Sequence, residues 1–211
     1  MLAVGLKPSW PDENGRFALE RAAMVGCVPC IETLLRSTTT YGANSTDAFC
    51  GHHSAALAAA ARINSEASVR ALLGATPAAP VGLLSVESGL GSALIEAVKA
   101  GAYDCVTPLV KAGAVLNPVG HARRPVPLIA AADRKCTTDK AKDDRAPDVI
   151  RLLVKLGAEV NAEEPTNGQT ALHVSASTGH LGCMQALVEL GANPTALDTC
   201  GGSPLHLAAS S

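Results

Sequence analysis

Two clusters of cysteine and histidine are the residues of this sequence whose types and spacing could do chemistry. Cys27 and Cys30 form a Cys-x-x-Cys pair near the N-terminus. Cys50, His52 and His53 follow further along the chain. Thiolate and imidazole ligands could hold a zinc ion, and a Cys-x-x-Cys pair alone could cycle between dithiol and disulfide. Either chemistry depends on where the surrounding elements place these side chains.

Other catalytic or ligand-binding motifs are weak. The segment 89–92 is rich in glycine, but it lacks the preceding strand and the lysine of a phosphate-binding loop. The sequence contains no nucleophile elbow, metalloprotease helix or kinase signature. We therefore expect no enzyme activity and no cofactor.

A repeated pattern near the C-terminus indicates the elements that position these residues. Gly168 and Gly201 are 33 residues apart, and the same period separates Leu172 from Leu205 and His173 from His206. The segments 168–173 and 201–206 resemble the ankyrin repeat, whose period is 33 residues and whose signature is Thr-Pro-Leu-His-x-Ala. The resemblance implies an all-α solenoid of helix-turn-helix units joined by β-hairpin loops. It also implies that His173 and His206 bond to hairpin or inter-repeat backbone, and no acid or nucleophile recurs beside them to favour catalysis.

The same register extends toward the N-terminus in less regular copies. Asn64 takes the place of the glycine between the two helices of the second copy. The helices of that copy are predicted over Ala55–Ile63 and Glu66–Leu73, and the second helix of the fourth copy over Pro147–Leu156. The third copy is predicted to open at Ser92 and the fourth at Val126-Pro127, and a short Ser/Thr insertion is predicted at Ser37–Thr40. We predict an N-terminal cap segment at 1–11 and an ankyrin repeat domain at 12–211, with repeats at about 12–44, 50–80, 87–117, 121–164 (with an inter-helix insertion at 133–146) and 165–197, and a partial repeat at 198–211. Because the last copy stops inside or just after its first helix, we expect a fragment of a longer protein.

Composition agrees with thin layers of helices. Hydrophobic residues make up 47% of the 211 residues, but aromatic residues make up only 2%. A net charge of −2 argues against a general nucleic-acid binder. The N-terminus lacks a secretory signal, and no run approaches the roughly 20 apolar residues of a membrane helix. Together these features predict an intracellular protein, cytoplasmic or nuclear, without membrane insertion.

The cysteines are predicted to be reduced. Seven is an odd number in a chain without an export signal. Cys30, Cys105 and Cys183 each lie 11 residues after a motif leucine, which predicts small apolar core residues. In this register Cys27 and Cys30 lie at a turn, and Cys50 to His53 at the hairpin beyond the opposite helix ends, which argues against zinc. No strand precedes the pair to make a thioredoxin-like redox unit.

The resemblance implies that a partner protein binds the concave face formed by hairpin tips and first helices. The sequence therefore predicts a non-catalytic protein–protein interaction module, a scaffold or adaptor. The alternative is the substrate-recognition part of a larger catalytic assembly, such as a ubiquitin-ligase adaptor or an ankyrin-containing enzyme. Basic residues in the middle of the chain suggest an acidic or phosphorylated segment as the partner. The predicted contact residues are Arg16, His52, His53, Arg62, Lys99, Arg123, Arg124, Arg134, Asn167 and Gln169.

Overall fold

The fold is seen in a computed structural model. It describes residues 12–13, 16–40, 46–74, 89–118, 125–133 and 145–210, without the side chains of 37–40 and 46–52. In the described part of the chain the elements are α-helices, joined by turns and one isolated antiparallel bridge between Glu163 and Thr170. In chain order they are α1 (Ala18–Val25), α2 (Val28–Thr40), α3 (Thr46–Arg62), α4 (Glu66–Gly74), α5 (Gly89–Ala100), α6 (Tyr103–Lys111), α7 (Pro127–Ala132), α8 (Ala146–Lys155), α9 (Ala171–Ser177), α10 (Leu181–Glu189) and α11 (Pro204–Ser210).

The helices form two layers. Odd-numbered helices α1 to α11 pack each against the next odd one, and α2 to α10 do the same in the second layer. The two helices of each pair also contact one another, as α1 with α2 and α9 with α10. The interfaces between first helices are rich in alanine, because a short side chain lets neighbouring helices approach closely. Ala56, Ala60, Ala93 and Ala97 are fully buried there. This arrangement confirms the all-α solenoid of helix pairs.

The turn between the two helices of a pair requires a left-handed backbone. Gly26, Gly101 and Gly179 have φ values of 73°, 70° and 68°. Asn64 has a φ of 55° and is the one non-glycine residue with positive φ among those described. Asparagine tolerates this conformation better than most residues because its short side chain can bond locally. Its predicted role in the glycine position is therefore confirmed.

Consecutive pairs are joined by asparagine side chains after the second helices. Asn117 donates to the Gly157 carbonyl at 3.0 Å and accepts from the Glu159 backbone N–H at 2.9 Å. Asn161 makes the equivalent bonds one pair later, to the Gly191 carbonyl at 3.5 Å and from the Asn193 N–H at 2.8 Å. Each asparagine therefore satisfies backbone groups of the next turn and links one helix pair to the following pair.

Three helix boundaries differ from the sequence prediction. Helix α3 begins at Thr46, not at Ala55, so residues 50–53 lie inside a helix and not at a hairpin. Helix α5 begins at Gly89, three residues before the predicted opening, and α2 continues through Thr40, where a Ser/Thr insertion was expected. Ser92 of the third pair has the same place before its leucine as Thr170 and Ser203, but it lies inside α5 and not at the start of the helix.

Gly89, in the glycine-rich segment 89–92, lies at a close contact between α5 and α3. A Cβ at Gly89 would lie 2.9 Å from the Ser54 Cβ, a distance that real contacts do not reach. Glycine therefore lets the start of α5 pack directly on α3. Within the described residues, no helix is both long and apolar enough to cross a bilayer.

Candidate binding surface

The last turns of the first helices form one edge of the molecule. We call this edge the rim and define it as the residues five positions after the leucines Leu19, Leu57, Leu94, Leu128 and Leu172, each of which is buried. Because the first helices pack side by side, these equivalent positions lie next to one another along the stack. In chain order the rim consists of Met24, Arg62, Lys99, Asp133 and Ser177, of which Met24 is half-buried and the others are exposed.

Arg62 and Lys99 make the middle of the rim positive. Arg62 lies in the last turn of α3 and Lys99 in the last turn of α5. These two helices pack against each other, and packed helix axes are about 8–10 Å apart. In the described part of the chain neither side chain makes an ion pair. Both cations also favour the negative end of their own helix dipole, so the arrangement has a local electrostatic basis as well.

Acidic residues limit this positive region. Glu96 is half-buried one turn before Lys99 on α5, and Asp133 takes the next rim position along the stack. The rim is therefore a short cationic segment with a carboxylate on its far side, not a uniformly basic face.

Two further predicted contact residues are engaged within the fold. Asn167 accepts from the Gln169 backbone N–H at 3.0 Å through its side chain, and its carbonyl accepts from the Thr199 N–H at 3.0 Å. Gln169 donates to an Asp198 carboxylate oxygen at 3.5 Å. Both are half-buried and connect one hairpin to the next.

His53 and Arg16 are also placed away from an open surface. His53 is 2% exposed inside α3, so its prediction as a contact residue is wrong. Burial lowers its pKa, and a hydrogen bond with the Leu72 backbone opposes this shift. The half-buried Arg16 directs a guanidinium nitrogen at the Met24 sulfur, 3.6 Å away.

The remaining predicted contacts lie outside the described residues. They are Arg123, Arg124, Arg134 and the side chain of His52.

The histidine of the repeated motif links consecutive helix pairs. Nδ1 of His173 accepts from the Thr170 N–H at 3.1 Å, which closes the start of α9. Its Nε2 lies 3.1 Å from the Gly202 carbonyl of the following pair. Acceptance at Nδ1 places the proton on Nε2, so the neutral ring can satisfy both partners. His206 repeats the first contact, with the Ser203 N–H at 3.2 Å. The expected bonds of these histidines to backbone are present.

Comparisons with known proteins find ankyrin repeats in this chain. A family model for ankyrin repeats matches three copies over residues 139–211. The crystal structure of the human ASB11 ankyrin repeat domain superposes with a TM-score of 0.69 at 26% identity, covering 98% of this chain and 83% of that one.

Residues 139–211 are ankyrin repeats, and the chain as a whole has the fold of an ankyrin repeat domain.

Curated relatives share the repeats over part of their length. An intracellular phospholipase A2 of Caenorhabditis elegans is 45% identical over 74 residues, 31% of this chain and 7% of that protein. Human ankyrin repeat domain-containing protein 63 is 41% identical over 96 residues, 39% of this chain and 25% of that protein. Human Rabankyrin-5 is 36% identical over 83 residues, 34% of this chain and 7% of that protein. The chain thus spans a quarter or less of these relatives, and the shared ankyrin repeats are generally protein–protein interaction modules.

The ankyrin register explains two of the three cysteines predicted to be in the core. Cys105 and Cys183 are fully buried, as predicted. Cys105 faces the preceding repeat and donates from its Sγ to the Asn64 Oδ1 at 3.7 Å. Burial raises the pKa of Cys105 to about 11, with smaller contributions from Asp104 and Glu66.

Cys30 occupies the equivalent position in the first repeat but is exposed, so its core assignment is wrong. In the described part of the chain no earlier repeat covers it. It forms a disulfide with Cys27, with the two Cα atoms 5.3 Å apart. The prediction that this pair is reduced is therefore wrong as well. No group of three or more His, Cys, Asp or Glu residues in the described segments is arranged to hold a metal ion.

Sequence reasoning missed two features of the ankyrin hairpins. Leu197 is 62% exposed on the last hairpin. Asp198 accepts from the Gly202 N–H at 2.7 Å and the Cys200 N–H at 3.0 Å. The Gly202 bond is the main cause of a lowered pKa for this carboxyl. The sequence signal for the first feature is an apolar residue within a polar hairpin. The signal for the second is an aspartate four residues before a glycine.

Proposed function

We propose that this chain is a non-catalytic interaction module that binds an acidic segment of a partner protein across Arg62 and Lys99. The observation that carries the proposal is the placement of these two exposed cations at equivalent positions on packed helices. Long cationic side chains with no ion pair among the described residues are available to a ligand at little desolvation cost.

The spacing of the two cations suggests the form of the ligand. Packed helices separate their Cα positions by about 8–10 Å. An extended segment in the polyproline II conformation advances about 3.1 Å per residue and has three residues per turn, so carboxylates three residues apart lie on one side and match this separation. Arg62 can bind a carboxylate or phosphate with two parallel hydrogen bonds, whereas Lys99 acts as a point charge. The preferred ligand is therefore an extended segment with acidic or phosphorylated residues at this interval.

Three further arginines support an acidic partner from sequence alone. In the sequence, Arg123 and Arg124 precede α7, and Arg134 follows Asp133. We propose that these arginines also contact the acidic partner. Phosphate suits arginine because it offers several strong acceptors.

The alternative is that the same surface recognises a substrate for a larger catalytic assembly. This alternative is supported by the similarity between 31% of this chain and part of an intracellular phospholipase A2. Binding through the rim is common to both proposals, and they differ in whether catalysis resides elsewhere in a longer protein. A hydrolase or ligase activity that copurifies with the full-length protein would favour the alternative.

A peptide panel tests the proposed ligand class. Four fluorescent peptides of equal length would carry two glutamates three residues apart, two phosphoserines at the same spacing, neutral residues, or two lysines. Anisotropy should show binding of the first two, weakening as salt screens the charges. In parallel, Arg123→Glu with Arg124→Glu should reduce capture of native partners and their crosslinks to acidic segments. Equal binding of all four peptides, or unchanged capture, would contradict the proposal.

A further inference from the structure

The turn between α1 and α2 holds a disulfide whose two cysteines differ in exposure. Cys27 is half-buried, and Cys30 is exposed in the first turn of the helix. Cys27 directly precedes Val28, the first residue of the 13-residue α2. Its carbonyl accepts from the Ile31 N–H at 3.0 Å, as expected for an N-cap residue. The more exposed cysteine of the bridge therefore lies within the first turn of α2, and the less exposed one lies at its N-terminus.

The bridge adds little to the fold itself. It closes a loop of only four residues, and short loops constrain the unfolded chain least. The turn is already fixed by backbone bonds, from the Gly26 N–H to the Ala23 carbonyl and from the Cys27 N–H to the Ala22 carbonyl. Gly26 also packs near Ile63 and Ser65 of the second repeat. A structural staple is therefore a poor explanation for this disulfide.

We propose that Cys27 and Cys30 form a thiol–disulfide exchange site for a low-molecular-weight thiol such as glutathione. This inference is independent of the binding function proposed for the rim.

The exposure of the two cysteines sets the direction of exchange. A glutathione thiolate attacks the Sγ of the exposed Cys30, the bond between the two cysteine sulfurs breaks, and Cys27 leaves as a thiolate. A second glutathione thiolate then attacks the glutathione sulfur of the mixed disulfide, which releases oxidised glutathione and the Cys30 thiolate. Both protein thiolates take protons from solvent, so two glutathiones are oxidised as one bridge is reduced. The helix N-terminus stabilises the Cys27 thiolate, and a stabilised leaving thiolate leaves faster.

The buried cysteines supply an internal control. The Sγ atoms of Cys105 and Cys183 are enclosed between repeats, and both residues are fully buried. Exchange at the turn should therefore proceed while these two thiols remain protected. Labelling of Cys105 or Cys183 reports unfolding and not local exchange.

The test is a glutathione titration of the full chain, followed by acid quench, maleimide labelling and peptide mass spectrometry. Cys27 and Cys30 should gain label together as the reduced fraction rises, while Cys105 and Cys183 stay unlabelled and the helical circular dichroism is unchanged. When the single variants are treated with oxidised glutathione, Cys27→Ser should acquire glutathione at Cys30 on the order of tenfold faster than Cys30→Ser acquires it at Cys27, with one reduced glutathione released in each case. The double variant Cys27→Ser, Cys30→Ser should stay folded, with a melting temperature within a few degrees of native.

Three results would overturn the proposal. The bridge would open only in denaturant that also exposes Cys105, or either cysteine would be recovered bonded to another position. Equal glutathionylation rates in the two single variants would also contradict it, because the structure exposes one cysteine more than the other.

Discussion

The imidazole of His173 is fully buried and bonds to backbone on both sides. A histidine in this setting connects consecutive repeats, because its two ring nitrogens point in different directions. The exposed His206 has the same position in the next copy and caps only its own helix. The two residues therefore separate the inter-repeat contribution from the capping contribution.

Replacing His173 by alanine should be costly. His173→Ala leaves the Thr170 N–H without its partner and removes one of the two bonds to the Gly202 carbonyl, which keeps the Asp198 N–H. Together with the lost packing of the buried ring, we expect the free energy of unfolding to fall by about 2–4 kcal/mol. His206→Ala is the matched control and should cost about 1 kcal/mol, the usual value of a cap. Urea unfolding followed by circular dichroism gives both values. Equal losses in the two variants would contradict the connecting role.

Asp198 predicts acid sensitivity of the last hairpin. Its folded pKa lies below the ordinary value of about 3.9, so the unfolded state binds more protons between the two values. The stability from this carboxylate is therefore complete above about pH 4–5 and is lost as the pH falls through the folded pKa. Urea midpoints measured from pH 6 to pH 2.5 should fall less steeply in Asp198→Asn than in the native chain. If the urea midpoints of the variant and the native chain fell in parallel, the Asp198 carboxylate would not contribute to the pH dependence of stability.

At the scale of elements, side chains outside the helices determine how the helices stack. The asparagines after α6 and α8 bond to the next turn, and Asn64 bonds forward from the turn after α3 to Asp104 at 3.2 Å. These contacts connect neighbouring repeats at both ends of the helix pairs. A repeat protein depends on such nearest-neighbour interfaces for its stability.

The link between the fourth and fifth repeats can be tested at Asn161. Asn161→Ala removes the acceptor of the Asn193 N–H and the donor to the Gly191 carbonyl, and should lower the free energy of unfolding by about 1–3 kcal/mol. The control is Gln185→Ala on the exposed face of α10, which should change it by no more than about 0.5 kcal/mol. Thermal and urea unfolding provide the comparison. A loss at Asn161 no larger than at Gln185 would show that the asparagine link is dispensable.

The turn after α3 should distinguish backbone strain from side-chain bonding. Asn64→Ala places an ordinary residue at positive φ and also removes the bonds to Asp104 and Cys105, so we expect a loss of about 1–3 kcal/mol. Asn64→Gly loses the same bonds but fits the backbone, and should cost less. The measurement is the urea midpoint of each variant. A larger loss for glycine than for alanine would contradict the assignment of a left-handed turn.

Some element boundaries could not be read from the sequence. Pro127 and the paired Thr170 and His173 start their helices with local signals, and α7 and α9 begin where the pattern predicts. In α3 the alanine-rich run that indicates a helix begins only at Ala55, although the helix begins at Thr46. The hairpin expected at residues 50–53 was wrong for this reason.

For the whole molecule, periodic leucines and turn glycines were enough to predict the layered solenoid. The surface was harder to predict, because one linear position can face solvent or a neighbouring repeat. Cys30 and Cys105 occupy the same repeat position, yet the second is covered by the repeat before it and the first is exposed. His53 was predicted to be a contact residue, but packing within the fold buries its side chain. Arg62 and Lys99 remain exposed because the last turn of each first helix reaches the rim.

Binding of an acidic segment across Arg62 and Lys99 can be measured as the dissociation constant of a peptide with two glutamates three residues apart. Arg62→Glu with Lys99→Glu should weaken binding at least about tenfold and remove most of its salt dependence, because two attractive charges become repulsive. Lys111→Glu with Lys155→Glu makes the same charge change in the last turns of second helices α6 and α8, and should alter the constant by no more than about twofold. Equal weakening by both pairs would indicate a nonspecific charge effect, and an unchanged constant in the rim variant would contradict the account.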